Sequence, residues 1–276
     1  MHQFKKVVIL GTGLIGGSLG MALKAKHLAK EVVGLSRHKK NVLLAKKVGA
    51  IDRAAFSLLE VRSADLVILA APVNTIIDLG RKISRLLDED CIVIDVGSTK
   101  SAVVKNLSGI LPNFVGCHPL AGLEKNGVAF ARKDIFNGSI CILTPERRTK
   151  AAALTRIRSL WNMLGVKIVL ISPEAHDQAL AFTSHLPHAV AFSLNLSVPA
   201  KFLKFCAGGF KDTTRIAASN AELWAQIFLS NRAHLLKALI SFEGNLAALK
   251  SAVKNKDQAA LAKILVKSNK KDKYSR

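Results

Sequence analysis

Aromatic side chains are scarce in this 276-residue sequence: they make up 5% of it, with a single tyrosine. A surface that stacks bases needs aromatics interleaved with basic residues, and no such strip occurs. Acidic residues are also few. There are 19 Asp and Glu against 41 Lys and Arg, for a formal net charge of +22. The excess is spread out, with +8 falling in residues 172–276 and +14 in the remainder. A dispersed excess reads as a solvated lysine-rich surface, so a nucleic-acid partner is not expected. There are four cysteines, Cys91, Cys117, Cys141 and Cys206, none with CxxC spacing and three within short β-like runs. That argues against disulfides or a metal site and for small buried hydrophobes in a reducing compartment. No apolar run reaches the roughly 20 residues that span a bilayer. MHQFKKVVILGTG makes a poor signal peptide, because its apolar stretch is short and leads directly into glycines. A cytoplasmic location without a membrane partner is expected, with KSNKKDKYSR as a frayed end.

Half the residues are hydrophobic and 22% are charged, so a sizeable core is available. The length suits two domains of about 100–200 residues each. β-Branched runs occur at 6–10, 31–35, 66–70, 91–96, 114–117, 140–144 and 167–171, with helical patterns at 14–29, 39–48, 73–87, 100–111 and 148–164. The runs are continuously apolar rather than alternating, as in strands buried on both faces. The series predicts an α/β domain over 1–171 with a doubly wound, mainly parallel sheet. No strand pattern follows. Residues 173–198 read as a long apolar helix, and Leu235, Leu239, Phe242, Leu246, Leu249 and Val253 fall on one helix face. Residues 172–276 are therefore expected to form an all-helical domain, with that face as an internal core or a seam in a homodimer.

VVILGTGLIGGSL is strand, glycine turn, helix. Gly11, Gly13 and Gly16 fit the GxGxxG pattern of a Rossmann domain. Gly11 permits the tight turn, Gly13 lets a pyrophosphate approach the backbone, and Gly16 lets helix and strand pack closely. Leu14 and Ile15 open the helix whose N–H groups face the phosphate. A second strand follows at the right distance, which is the context the pattern requires. That strand ends in GLSRHKK. An NAD-binding chain carries an acid here for the ribose hydroxyls, whereas this one has Ser36 and Arg37, followed by His38, Lys39 and Lys40. Ser36 can donate to a 2′-phosphate, Arg37 can form charge-assisted bonds to it, and Lys40 adds positive potential. NADP is expected rather than NAD; alternatively, 37–40 simply begin a solvated helix.

Ligands bind at the carboxyl ends of such strands. AAPVN (70–74) places Ala71 and Pro72 along the cofactor, DVGSTKS (95–101) places Ser98 there, and GCHPLAGLEKNG (116–127) places His118 in the cleft. A lone histidine is more often structural than catalytic, but one at that point is suited to take a proton from an alcohol while hydride leaves the same carbon.

GTGLIGGSL, DVGSTKS, GCHPLAGLEKNG, SHLPHAVAF and GGFKDTTRIAASNAELW, in this order and spacing, resemble the prephenate/arogenate dehydrogenase family of tyrosine biosynthesis over about residues 5–250. No fused chorismate mutase or regulatory domain is expected at this length. The resemblance implies oxidative decarboxylation of a cyclohexadienol and a helical domain that dimerises. It makes His118 the base on the ring 4-hydroxyl, with Ser98 bonding near the hydroxyl, the histidine and the nicotinamide. It gives Arg215 a substrate carboxylate, Asp212 and Glu124 an ionic network at the entrance, and His188 and Trp224 the pocket wall. No metal is implied. Ser98 can also be read as the N-cap of the helix that follows, Arg215 and Asp212 as a local surface pair, and Trp224 as core packing. His185 and His188 can both be read as satisfied core residues, with His185 the structural one; the HDQ of 176–178 invites a catalytic reading but reads better as orienting the first helix of the second domain. Two rivals remain. One is a β-hydroxyacid dehydrogenase or imine reductase, and the other is a non-catalytic NADP-binding regulator.

Overall fold

The computed structural model describes residues 3–111, 113–123 and 125–272. The chain divides into two compact units, Met1–Asn231 and Arg232–Arg276.

The first unit opens with β1 (Phe4–Leu10), α1 (Leu14–Ala25), β2 (Ala29–Leu35), α2 (Lys39–Lys47) and β3 (Arg53–Ala55). It continues through β4 (Leu66–Leu69), α3 (Val73–Ile83), β5 (Ile92–Asp95), α4 (Ser101–Leu107) and β6 (Phe114–Pro119). β7 (Ile140–Thr144), α5 (Ala151–Met163) and β8 (Lys167–Leu170) complete one sheet of order β3-β2-β1-β4-β5-β6-β7-β8. Pairing is parallel from β3 to β6; β7 then runs antiparallel to β6, and β8 parallel to β7.

Both faces of the sheet are covered, which explains the continuous apolar runs. In β1, Val7 and Ile9 join a core with Leu19 and Leu23 of α1 and Ile157, Leu160 and Trp161 of α5. Val8 and Leu10 face the other way, into a core with Ile76 of α3 and Val103, Val104 and Leu107 of α4. All three cysteines in strand-like runs are buried free thiols, and Cys206 is half-buried. Burial pushes the Cys91 thiol up to about 12, so it behaves as an inert hydrophobe.

Two boundaries differ from the sequence pattern. The first helix stops at Ala25 instead of running to 29, because His27 takes a left-handed conformation (φ 52°) and Ala29 already belongs to β2. β3 is three residues long and begins with Arg53, too short and too polar to register as a strand.

α6 (Pro173–Leu180), a wide π-turn over Ala181–His185 and α7 (Leu186–Ser197) follow one another without a break. Ser172 caps α6 by accepting from the Ala175 N–H, with Pro173 in the first turn. Pro187 has no N–H, and its ring would crowd the Thr183 carbonyl one turn back; widening the preceding turn relieves that conflict. α8 (Gly208–Thr214) and α9 (Ala221–Ser230) complete the unit, with a short 3-10 turn, Arg215–Ala218, between them. The second unit consists of α10 (Arg232–Lys254) and α11 (Gln258–Asp272), packed on each other. Along α10, Leu235 is buried, whereas Leu246 and Val253 are more than half exposed.

Candidate active site

β1 lies between β2 and β4, so the strand order reverses at its carboxyl end, where this architecture leaves a crevice. Because β1, β2, β4, β5 and β6 run the same way, the loops after them share one edge of the sheet. Those loops and the helix starts beside them carry Gly11, Gly13, Leu14, Ile15, Gly16, Ser36, Arg37, Lys40, Ala71, Pro72 and Ser98, and β6 ends with His118.

The three glycines are needed for different reasons. Gly11 has φ 112°, and a Cβ there would stand 2.1 Å from the Ala70 carbonyl oxygen. At Gly16 it would stand 2.0 Å from the Gly11 oxygen. Both are required by the chain's own packing. Gly13 has φ −84° and would place its Cβ in open space, with nothing within 4 Å. The protein itself has no use for that space, which is the property expected where a pyrophosphate approaches the backbone. No side chain caps α1, and no acid sits in its first turn, so its first N–H groups suit an anion. The glycine loop therefore fits a dinucleotide.

At the end of β2, Ser36 is half-buried and Arg37 is exposed, with its guanidinium on His38 Nε2 (3.2 and 3.1 Å). Lys40 is exposed in the first turn of α2. The arrangement offers positive charge and donors and no carboxylate in the loop itself.

His118 is the penultimate residue of β6 and is part-buried. It shares a sheet face with Gly116, two residues back, whose partner across the ladder is Asp95. Its Nδ1 lies 2.8 Å from His176 Nε2 on α6, and His176 Nδ1 lies 2.8 Å from Asp177 Oδ1. The Asp177 carboxylate also accepts the backbone N–H groups of Lys100 (2.7 Å) and Ser101 (2.9 Å), which open α4. An acid on α6 therefore caps α4 where the helix has no cap of its own. For the same reason Ser98 is not the cap of α4; it is half-buried in the turn after β5 and next to Thr99, which bonds Ser230 at 3.1 Å.

Beneath this network the ammonium of Lys100 pairs with Asp95 Oδ2, both fully buried, and the same oxygen accepts the Gly97 N–H at 2.9 Å. Burial raises the Asp95 carboxyl, against the opposing pull of Lys100. Burial lowers His118 well below the ordinary histidine range, and positive charge on His176 (when it is protonated) and on Lys100 acts the same way, so its imidazole is neutral at neutral pH. Burial likewise lowers His176, against the pull of Asp177. For Asp177, burial acts upward, but the bonds from His176, Lys100 and Ser101 outweigh it and hold the carboxyl below its usual range.

One helical turn past the π-turn, His188 stacks on Trp224 of α9 with ring centroids 3.5 Å apart, while its Nδ1 donates to the Ser184 carbonyl oxygen at 2.9 Å. Trp224 also meets Phe228 (5.5 Å) and the edge of His185 (6.1 Å). Both His188 and Trp224 are half-buried. His185 is buried, touches Asn231 Nδ2 at 3.1 Å and is held down to about 4 by burial. Arg215 is exposed at the start of the turn that packs on α7, and Asp212 is exposed on α8. Glu124 lies outside the described residues.

Two residues of this network, Asp95 and Lys100, draw no functional reading from the sequence, and His176 and Asp177 read there as orienting a helix rather than as catalytic. Lys100 and Asp95 sit inside DVGSTKS, and the improbability of a buried lysine is visible only in the fold.

The site is thus a glycine loop and a neutral histidine on one edge of the sheet, in a chain that is similar to known proteins. Residues 19–170 match the family model "Prephenate dehydrogenase, nucleotide-binding domain", and 172–267 match "Prephenate dehydrogenase, dimerization domain". The cyclohexadienyl dehydrogenase of Zymomonas mobilis is 37% identical over 93% of this chain and 91% of its own. The prephenate dehydrogenase of Bacillus subtilis is 36% identical over 93% of this chain and 72% of its own. The crystal structure of the Aquifex aeolicus prephenate dehydrogenase, in complex with hydroxyphenyl propionate and NAD+, superposes with a TM-score of 0.92 at 34% identity, over 99% of this chain and 98% of that one. The hydroxyacid-dehydrogenase and regulator readings give way to these matches. Two successive family models and relatives aligned over most of both lengths agree, and the chain belongs to the prephenate dehydrogenase family.

Proposed function

We propose that this protein oxidatively decarboxylates prephenate to 4-hydroxyphenylpyruvate, or arogenate to tyrosine, with NADP as the preferred hydride acceptor. The observation that carries the reading is His118. It is a neutral, part-buried histidine at the carboxyl end of β6, on the sheet edge that holds the glycine loop. Family membership narrows its substrate to a cyclohexadienol.

In this reading His118 Nε2 takes the proton of the ring hydroxyl as hydride leaves the same carbon. The ring carboxylate departs as CO2, and its bonding pair completes the aromatic ring. When bound, the nicotinamide supplies the hydride acceptor. Ser98, in the turn between β5 and α4, orients the hydroxyl. Arg215 offers a planar fork to a substrate carboxylate, with Asp212 and Glu124 at the entrance. His188 and Trp224 form the wall beside the substrate's side chain; the His188 ring is fixed by its bond to Ser184 and its stacking on Trp224.

Gly11, Gly13, Leu14, Ile15 and Gly16 would hold the pyrophosphate, and Ala71 and Pro72 would flank the dinucleotide. Ser36, Arg37 and Lys40 would take the 2′-phosphate, the feature that favours NADP although the Aquifex protein's structure holds NAD+. A homodimer would form through the helical region, supported by the dimerization-domain match and by the half-exposed apolar stripe on α10.

The test is absorbance at the reduced-nicotinamide band with prephenate or arogenate, each with NADP and with NAD. Turnover is expected with at least one pair and faster with NADP. Folded protein that binds nucleotide but turns over neither substrate would refute the reading.

A further inference from the structure

We infer that His176 and Asp177 form a positioning dyad that holds His118 as its Nδ1–H tautomer, leaving Nε2 as the bare proton acceptor. The inference rests on the reading of His118 as the base.

The argument starts at the anchored end. Both Asp177 oxygens already accept backbone N–H groups, from Lys100 at 2.7 Å and Ser101 at 2.9 Å. An ionised carboxylate can only accept, so His176 Nδ1 is the donor across the 2.8 Å contact. A neutral imidazole that donates through Nδ1 keeps its lone pair on Nε2. That lone pair faces His118 Nδ1 at 2.8 Å, so His118 Nδ1 must donate. The lone pair of His118 is then on Nε2, on the far side of the ring. One anchored carboxylate thus settles the tautomers of both imidazoles.

The dyad is also rigid. His176 and Asp177 are 0% and 1% exposed. Asn231 Nδ2 donates to the Asp177 carbonyl oxygen at 2.6 Å, and α6 is capped by Ser172. Among the described residues, the other ionisable groups around the two rings are the Lys100–Asp95 pair, His185 on the π-turn and the buried thiols of Cys117 and Cys141. Lys100 and Asp95 offset each other, and burial keeps His185 and the Cys141 thiol uncharged. When His118 takes a proton, its Nδ1–H bond to His176 becomes charge-assisted, with Asp177 behind it. The dyad therefore both orients the base and favours its protonated form.

Two substitutions separate positioning from packing. His176→Phe keeps a ring of similar size and removes the acceptor, whereas His176→Gln keeps an oxygen that can accept from His118 Nδ1. His176→Phe should lower kcat on the order of 100-fold, within the range of general-base effects, with nucleotide Kd unchanged. The acid limb of its kcat/KM profile should move to lower pH, because the His118 cation loses more than the neutral ring does. His176→Gln should recover most of the lost kcat. Equal damage in both variants, an unmoved acid limb or undiminished turnover in His176→Phe would overturn the dyad. His118→Asn is the separate control: if it retains turnover, the base assignment itself fails. Should the Phe variant not fold, nitrogen chemical shifts of His118 in the unaltered protein decide the matter. A protonated Nδ1 and bare Nε2 are expected, and the opposite tautomer would overturn the inference.

Discussion

Replacing Gly13 with alanine tests the nucleotide loop most directly, because only one of the loop's three motif glycines is free of the protein's own constraints. Gly13 sits at φ −84° in extended backbone, and its added methyl would meet nothing within 4 Å. The empty fold should tolerate the change, or gain about 0.4–1 kcal/mol from a less flexible unfolded chain. With a dinucleotide bound, the methyl occupies the space into which the pyrophosphate must come. Overpacking of that kind costs about 1–3 kcal/mol, which corresponds to roughly a 5- to 150-fold weaker Kd. Gly16→Ala is the counterpart. Its methyl would stand 2.0 Å from the Gly11 oxygen and 3.0 Å from Ala70 Cβ, so stability itself should fall. Urea unfolding without nucleotide, paired with calorimetric titration of NADP and NAD, separates the two effects. If Gly13→Ala binds nucleotide like the parent, or unfolds as early as Gly16→Ala, the assignment of this space to a phosphate is wrong.

Arg37→Asp should weaken NADP by about 10- to 150-fold, the loss of a charge-assisted bond worth about 1.5–3 kcal/mol, while NAD affinity holds within a few-fold; unchanged NADP affinity in the same titration would remove Arg37 from the site. Lys100→Met leaves the Asp95 carboxylate buried and uncompensated, and should cost about 3–5 kcal/mol in urea unfolding, with the double variant Asp95→Asn/Lys100→Met recovering much of it; a single-variant loss below about 1 kcal/mol would contradict the ion pair. Acid should destabilise the protein through its histidines. His185 is held down to about 4 in the fold, so between its unfolded value near 6.5 and about 4 the unfolded chain binds more protons. Stability should then fall by up to ~3 kcal/mol as pH drops through that window, and an unfolding midpoint that does not move from pH 6.5 to 4.5 would exclude a neutral buried His185.

The sheet was readable because its signal is local. Each strand buried on both faces leaves a continuous apolar run, and the glycine loop must follow the first of them. The end of α1 was not readable, because it depends on a left-handed His27 where no glycine marks the turn. The reversal at β7 was not readable either, since a strand has the same composition in either direction. Within the site, His118 was singled out by its place between a strand and a proline. The reading of His176 and Asp177 went a different way for a physical reason. An acid and a histidine at the start of a helix look like residues that orient that helix, and Asp177 does cap a helix, but that helix is α4 and not its own. The contact that gives His176 its further significance joins residues 58 apart in sequence, and no spacing rule covers that distance. A sequence can therefore single out a candidate reacting group, because such a group needs a particular place on one element. The groups that orient it are fixed by how two elements pack, and His176 meets His118 only once α6 has docked on α4 through Asp177.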